Sequence, residues 1–348
     1  MDKMVKGIEN PSDKVIQKQV QERLDDLTKP KGSLGYLESL VLQYCLCRGD
    51  ENSCINKKML YVFSGDHGIT EEGVAPYPKD VTIQMVRNML DGGAAVSVMC
   101  QMAGVQYKVV NMGIDGNVES NSHLLSYPVA PCTKNFSKEA AMTNDQCLQA
   151  LETGFDIALS TYSDLYAIGE MGIGNTTSAS ALAALLLNEN PVKTVGMGTG
   201  ATGSVMNRKQ NAVVNSVKFH QSNWDGSVFD ALARLGGFEI AGMTGFILGC
   251  SKKRIPVIID GFITTVSALC AVKMNPVVKN YLIFSHVSDE QYHNELLKKM
   301  DVRPLMNLDM RLGEGTGAVL GIQIVEQALA CYHGMATFSG AGVSNRDN

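Results

Sequence analysis

The chain has 348 residues, of which 45% are hydrophobic and 19% charged, and its formal net charge is −5. That composition describes a globular protein with a sizeable core, and it argues against a nucleic-acid partner because no cationic surplus exists to release phosphate counterions. The length allows two domains, or one large α/β body with an appendage.

The opening residues "MDKMVKGIENPSDK" lack the apolar core of a signal peptide, and no run approaches the roughly 18 apolar residues a membrane span requires. A cytoplasmic protein is therefore expected. Nine cysteines occur, at 45, 47, 54, 100, 132, 147, 250, 270 and 331, without any CxxC pair. Several stand in apolar runs such as "ALCAV" and "VSVMC", so buried reduced thiols are expected rather than a disulfide or metal set.

Residues 14–48 place apolar positions at helical spacing, interrupted by a turn in "TKPKGSLGYLE". From about residue 58 short β-branched or aromatic runs appear, each ending in a glycine-bearing or polar loop: "MLYVFSGDHG", "YKVVNMGIDG", "LYAIGEMGIGN", "PVIIDGF" and "YLIFSHVSD". Helical stretches separate them, such as 176–187, where Ala179, Leu182, Ala183 and Leu186 share one face. This alternation predicts an α/β fold with a parallel sheet flanked by helices, and ligands at the carboxyl ends of its strands. After "GEGTG", the stripe Ala318, Ile322, Val325 and Leu329 predicts a C-terminal helix that joins the N-terminal helices in a smaller helical unit. The last residues, "SGAGVSNRDN", read as a loose tail.

Within this frame several motifs have both a chemical and a plain structural reading. "GEMGIGNTTSASA" leads into a helix that Asn175 or a threonine caps; the same helix start suits an anion or ribose hydroxyls, with Glu170 as their acceptor. "GMGTGATGSVMNRKQ" matches GxGxxG formally, but an acidic ribose ligand comes late in the sequence. A phosphate nest helped by Lys209, or simply a tight turn, are the other readings. Asp66-His67 ends a strand, and His67 reads as a general base or as a satisfied structural histidine. In the helix after Pro78, Val81, Met85 and Met89 suit either a core or a pocket for a flat aromatic ligand, with Gln84 as its amide. No Gly-Lys-Ser/Thr occurs, and "VIIDGFITT" offers only Asp260 where paired acids usually hold a phosphoribosyl diphosphate. No second His or carboxylate stands near His67 at metal-ligand spacing.

Taken in order, "TKPKGSLGYLE", "GDHGITEEGV…YPKDVTIQMVRN", "GGAAVSVMC", "GEMGIGNTTSASAL", "GTGATGSVMNRKQ", "GFEIAGMTGFILG", "IIDGFITTVSAL", "SHVSDEQYH" and "NLDMRLGEGTGA" resemble the nicotinate-nucleotide–dimethylbenzimidazole phosphoribosyltransferase family, from about residue 28 to residue 343. The resemblance implies a Rossmann-like large domain (51–314), a small helical domain from both termini (1–50 plus 315–348), and a homodimer. It implies transfer of phosphoribose from nicotinate mononucleotide to 5,6-dimethylbenzimidazole or a related base, with no cofactor and no metal. Carried over by residue, it makes Glu314 the general base. Gln84, Met85 and Leu312 then line the base pocket, while Glu170 and Gly172 face the ribose. Gly198, Thr199, Gly200 and Lys209 hold the phosphate. Ser288 joins them, with Ser285 in the same "SHVS" as a competing match. Burial raises the pKa of Glu314 and a helix starting near Thr316 lowers it, a balance the sequence leaves open.

Overall fold

Strands that read as continuous apolar runs are those buried on both faces, and that is how the five runs fold. The computed structural model describes residues 1–343. Its main sheet contains β1 (Lys58–Gly65), β2 (Gln106–Gly113), β3 (Leu124–Ser126), β4 (Leu165–Met171), β5 (Val257–Ile259) and β6 (Leu282–Phe284). The order is β3-β2-β1-β4-β5-β6, and every pairing is parallel. A second, two-stranded parallel ribbon joins β7 (His286–Val287) to β8 (Met306–Asn307).

Because successive strand residues point to opposite faces, each strand feeds two cores. On one face Tyr61, Phe63, Tyr166 and Ile168 pack with helices Asn144–Ser160, Asn175–Leu187, Phe238–Lys252 and Phe262–Met274. On the other, Leu60, Val62, Ala167 and Ile258 pack with helices Lys14–Asp26, Tyr36–Arg48, Val81–Leu90, Ala95–Ala103 and Thr316–Gly334. The expected one-sided stripe in helix Asn175–Leu187 is not what forms. Every residue from Asn175 to Leu186 is buried, because helices surround it on all sides.

The stripe Ala318, Ile322, Val325 and Leu329 is buried as its spacing predicts. Helix Thr316–Gly334 packs on helix Tyr36–Arg48 and also lies against β4 and β5. Polar contacts tie the two ends of the chain. Asp13 caps the first long helix through the amides of Val15 and Ile16 (2.8 and 3.1 Å). Near that helix's end, Arg23 donates to the carbonyls of Tyr332 and His333 (2.9 and 3.0 Å). Part of the expected tail is ordered: Phe338–Ala341 form a helical turn, and the Ser339 hydroxyl donates to Asp26 at 2.7 Å. Residues 344–348 of that tail lie outside the described residues. Among the described residues no helix is long and apolar enough to cross a membrane.

Candidate active site

Strand order reverses between β1 and β4, the place where open parallel sheets form a ligand crevice beyond their carboxyl ends. Glu170 is the penultimate residue of β4 and therefore stands at that crevice. It shares strand parity with Tyr166 and Ile168, so it leaves the sheet toward the face they occupy.

Glu314 arrives from the opposite face, just before helix Thr316–Gly334. Gly313, Glu314 and Gly315 all have positive φ, at 82°, 63° and 94°. Glycine adopts this region freely, whereas for the glutamate it costs roughly 1–2 kcal/mol. A third glycine, in β4, permits the approach. A Cβ on Gly169 of β4 would fall on the carbonyl group of Glu314 and the amide nitrogen of Gly315. A side chain on Gly313 would likewise strike Oε1 of Glu170. The two glycine-flanked glutamates thus meet at one strand end.

Their surroundings are dry and acidic. Burial pushes the Glu170 carboxyl up to about 8, helped by the nearby carboxyls of Asp260, Glu239 and Glu314 and opposed by the Asn175 amide group that donates to it. Asp260 is raised to about 7 by burial, against the backbone amides of Ala318, Gly315 and Gly317. Glu314 is also raised. Its burial outweighs the opposing N–H of Val96, at the start of helix Ala95–Ala103. Glu314 is only 4% exposed, and its Oε2 has no hydrogen-bond partner among the described residues. That acceptor is left open to a ligand N–H, although neither Glu314 nor Lys209 is itself in the wall of the cleft.

Glu170, Gly172, Asn175, Gly198, Thr199, Ser288 and Leu312 line one cleft, and Gly313 brings the Glu314 turn to its wall. Gly200 continues the loop from Thr199, with Gly198 and Gly200 both at positive φ. Lys209, 2% exposed, donates from Nζ to the Gly196 carbonyl at 2.9 Å, and burial lowers its pKa to about 8. The segment before this loop is the short helix Pro191–Thr194 and not a strand, so the dinucleotide-fingerprint context is missing. Ser288 and Ser285 separate clearly. Ser288 lines the cleft, while the Ser285 hydroxyl turns inward and donates to the Asp260 carbonyl at 2.9 Å.

Gln84 and Met85 are not in the wall of this cleft. They lie on helix Val81–Leu90, whose Thr82 hydroxyl accepts from the Ile173 amide at 3.0 Å and so joins that helix to the Glu170 loop. Gln84 is exposed and Met85 half-buried. His67 is no part of the cleft wall either. It is fully buried and pairs with Glu239 at 2.7 Å.

Two charged residues of the cleft wall escape a reading of the sequence. Glu290 accepts from the Gly198 amide, and Arg311 stands beside Leu312. A glutamate in "SHVSDEQYH" looks like a solvated loop acid, and nothing in its spacing announces that it reaches a glycine loop 92 positions away.

The phosphoribosyltransferase family model (DBI_PRT) matches residues 9–343. A nicotinate-nucleotide–dimethylbenzimidazole phosphoribosyltransferase from Chlorobaculum parvum is 41% identical over 341 residues, 97% of this chain and 96% of the relative. One from Chlorobium chlorochromatii is 44% identical over 339 residues, 97% and 96% of the two chains. The crystal structure of CobT from Thermus thermophilus superposes with a TM-score of 0.91 at 37% identity, covering 95% of this chain and 99% of that one. The chain belongs to the nicotinate-nucleotide–dimethylbenzimidazole phosphoribosyltransferase family.

Proposed function

We propose that this enzyme transfers the 5-phosphoribosyl group of nicotinate mononucleotide to 5,6-dimethylbenzimidazole or a related lower-ligand base. The products are nicotinate and, by inversion at C1′, an α-ribazole 5′-phosphate for cobamide assembly. The observation that carries this reading is the buried Glu314 carboxylate with one oxygen unpartnered, at the sheet's ligand crevice in a chain of this family.

Nicotinate leaves from a pyridinium, so it departs with the bond electrons and needs no proton. One benzimidazole nitrogen attacks C1′ on the opposite face. As that bond forms, positive charge spreads over the ring and the other N–H becomes acidic. Glu314 accepts that proton, a contribution of about 10²–10⁴ in rate. Holding the two substrates in line supplies much of the remainder. In this reading Glu170, Gly172 and Asn175 face the ribose. Gly198, Thr199, Gly200, Lys209 and Ser288 serve the phosphate, and Gln84, Met85 and Leu312 serve the aromatic base. Leu312 is 57% exposed, and Gln84 and Met85 stand outside this cleft on helix Val81–Leu90, which the Thr82–Ile173 hydrogen bond joins to the Glu170 loop. We extend the family's pattern to a cytoplasmic homodimer with a helical unit from residues 1–50 and 315–348 beside a catalytic body of 51–314.

Incubation of the purified protein with nicotinate mononucleotide and dimethylbenzimidazole tests the reaction: nicotinate release supports it, and substrate binding without release identifies a non-catalytic binder instead. In the same assay Glu314→Gln loses about 10²–10⁴ in kcat. Near-normal turnover by that variant would remove Glu314 from the role of base.

A further inference from the structure

Asp260 occupies a position that the reaction above does not use. It follows β5, is 1% exposed, and immediately precedes Gly261 at the start of helix Phe262–Met274. Its Oδ2 accepts from the Gly315 amide at 3.1 Å, and its Oδ1 accepts from the Ala318 amide at 2.9 Å. Its own carbonyl is held by the Ser285 hydroxyl at 2.9 Å, which anchors it on β5 and β6.

The segment it grips needs such a hold. Helix Thr316–Gly334 begins after Gly315 without any side-chain cap of its own, and although the Thr316 amide reaches the Gly313 carbonyl, the amides of Gly315 and Ala318 would otherwise lack partners. The three residues leading into it are all left-handed, and the middle one is Glu314. A turn with a non-glycine residue in this region persists only when its surroundings over-determine it. His286 and Asp260 pack tightly on this first turn: a Cβ on Gly317 would lie 2.6 Å from His286 Nε2 and 2.9 Å from Asp260 Oδ1.

We propose that Asp260 is the positioning residue for Glu314: its two carboxylate oxygens clamp the residue after the base and the first helical turn, holding the strained turn that aims the base. This rests on the reading of Glu314 as the base. Both oxygens must accept, which a carboxylate does and an amide does not. In Asp260→Asn the NH₂ group faces one of the two backbone N–H groups, donor against donor, and that side of the clamp is lost. A shift of about 1 Å at a reacting group costs about 10²-fold in rate.

Steady-state kinetics of Asp260→Asn in two backgrounds test the proposal. In the otherwise native enzyme kcat falls about 10²-fold while the KM for nicotinate mononucleotide changes little. In the Glu314→Gln background the same substitution costs almost nothing further, because no base remains to be aimed. An equal loss in both backgrounds would make Asp260 a structural cap only and overturn the proposal, as would unchanged kcat in a folded Asp260→Asn. Full activity of Glu314→Gln alone is a separate outcome that refutes the base assignment. Amide hydrogen exchange on the unmutated protein provides a check that requires no variant to fold. Gly315 and Ala318 exchange slowly if clamped, and exchange as fast as free first-turn amides would refute the clamp.

Discussion

Gly169→Ala adds one methyl group, 145 positions before Glu314 in sequence and directly beneath it in space. The new Cβ would fall on the carbonyl carbon and oxygen of Glu314 and on the amide nitrogen of Gly315, far inside the 3.4 Å at which ordinary contact begins. All three are backbone atoms, so no side chain can rotate away. The Glu314 turn or β4 must move by about 1 Å, and β4 is paired with β1 along its whole length and with β5 over Tyr166–Ile168. The turn therefore moves. Overpacking of this kind costs about 1–3 kcal/mol of stability. The displacement lowers kcat about 10²-fold if Glu314 acts on the reacting base. Steady-state nicotinate release, read beside thermal unfolding, separates the two effects. A variant with a lowered Tm but kcat within about 3-fold of the parent would refute the claim that the Glu314 position is tuned by its contact with β4.

The remaining predictions concern charge. Glu170 has a folded pKa of about 8 against an ordinary value of 4.5, so the folded state holds the proton more tightly and stability falls as pH rises from about 4.5 to about 8. Glu170→Gln removes that dependence while keeping an acceptor for Asn175. Thermal unfolding should show the variant gaining on the parent by up to a few kcal/mol across this window, with no gain below it. A constant difference at all pH values would show that the Glu170 pKa is ordinary. Glu290 accepts from the Gly198 amide that the proposed phosphate would use, and its charge opposes that phosphate. Glu290→Gln should lower the KM for nicotinate mononucleotide about 3- to 10-fold with little change in kcat, since this is uniform binding. A raised KM would mean that Glu290 helps to build the phosphate site and does not compete for it.

What can be read from the chain follows from local physics. The five apolar runs become strands because a run of β-branched and aromatic residues between glycine-bearing loops suits a strand buried on both faces. The spacing of Ala318, Ile322, Val325 and Leu329 becomes the buried face of a helix because that helix has one side against the sheet. Helix Asn175–Leu187 departs from its pattern because burial on every side leaves no polar face for periodicity to mark. At the site, glycines advertise Glu314 and Glu170. Asp260 reads only as an unpaired acid, since its partners Gly315 and Ala318 lie 55 and 58 positions away. Val96 and Glu290 are invisible for the same reason. Contacts made by chain crossing leave no local signature.

The electrostatics of the cleft clarify why two similar glutamates need not form an acid/base pair. Glu170, Asp260 and Glu314 are all raised by burial, and each charge raises the cost of another nearby. Such a cluster is poor at holding several negative charges by itself and well suited to a cation. In the proposed transfer the positive charge on the nicotinate ring is lost as its bond to C1′ breaks, while an equal charge develops on the benzimidazole. The total charge in the cleft is unchanged throughout, because the proton passes from the base to Glu314 within it. Fixed carboxyl oxygens can therefore stabilise the positive charge along the path without reorganising, which is the condition under which preorganised electrostatics contribute most. Only the last step requires a group to change protonation, so one carboxylate with a free oxygen suffices. Each glutamate has one oxygen engaged, Glu314 by the Val96 amide and Glu170 by Asn175; what sets Glu314 apart is that its remaining oxygen is buried without a partner.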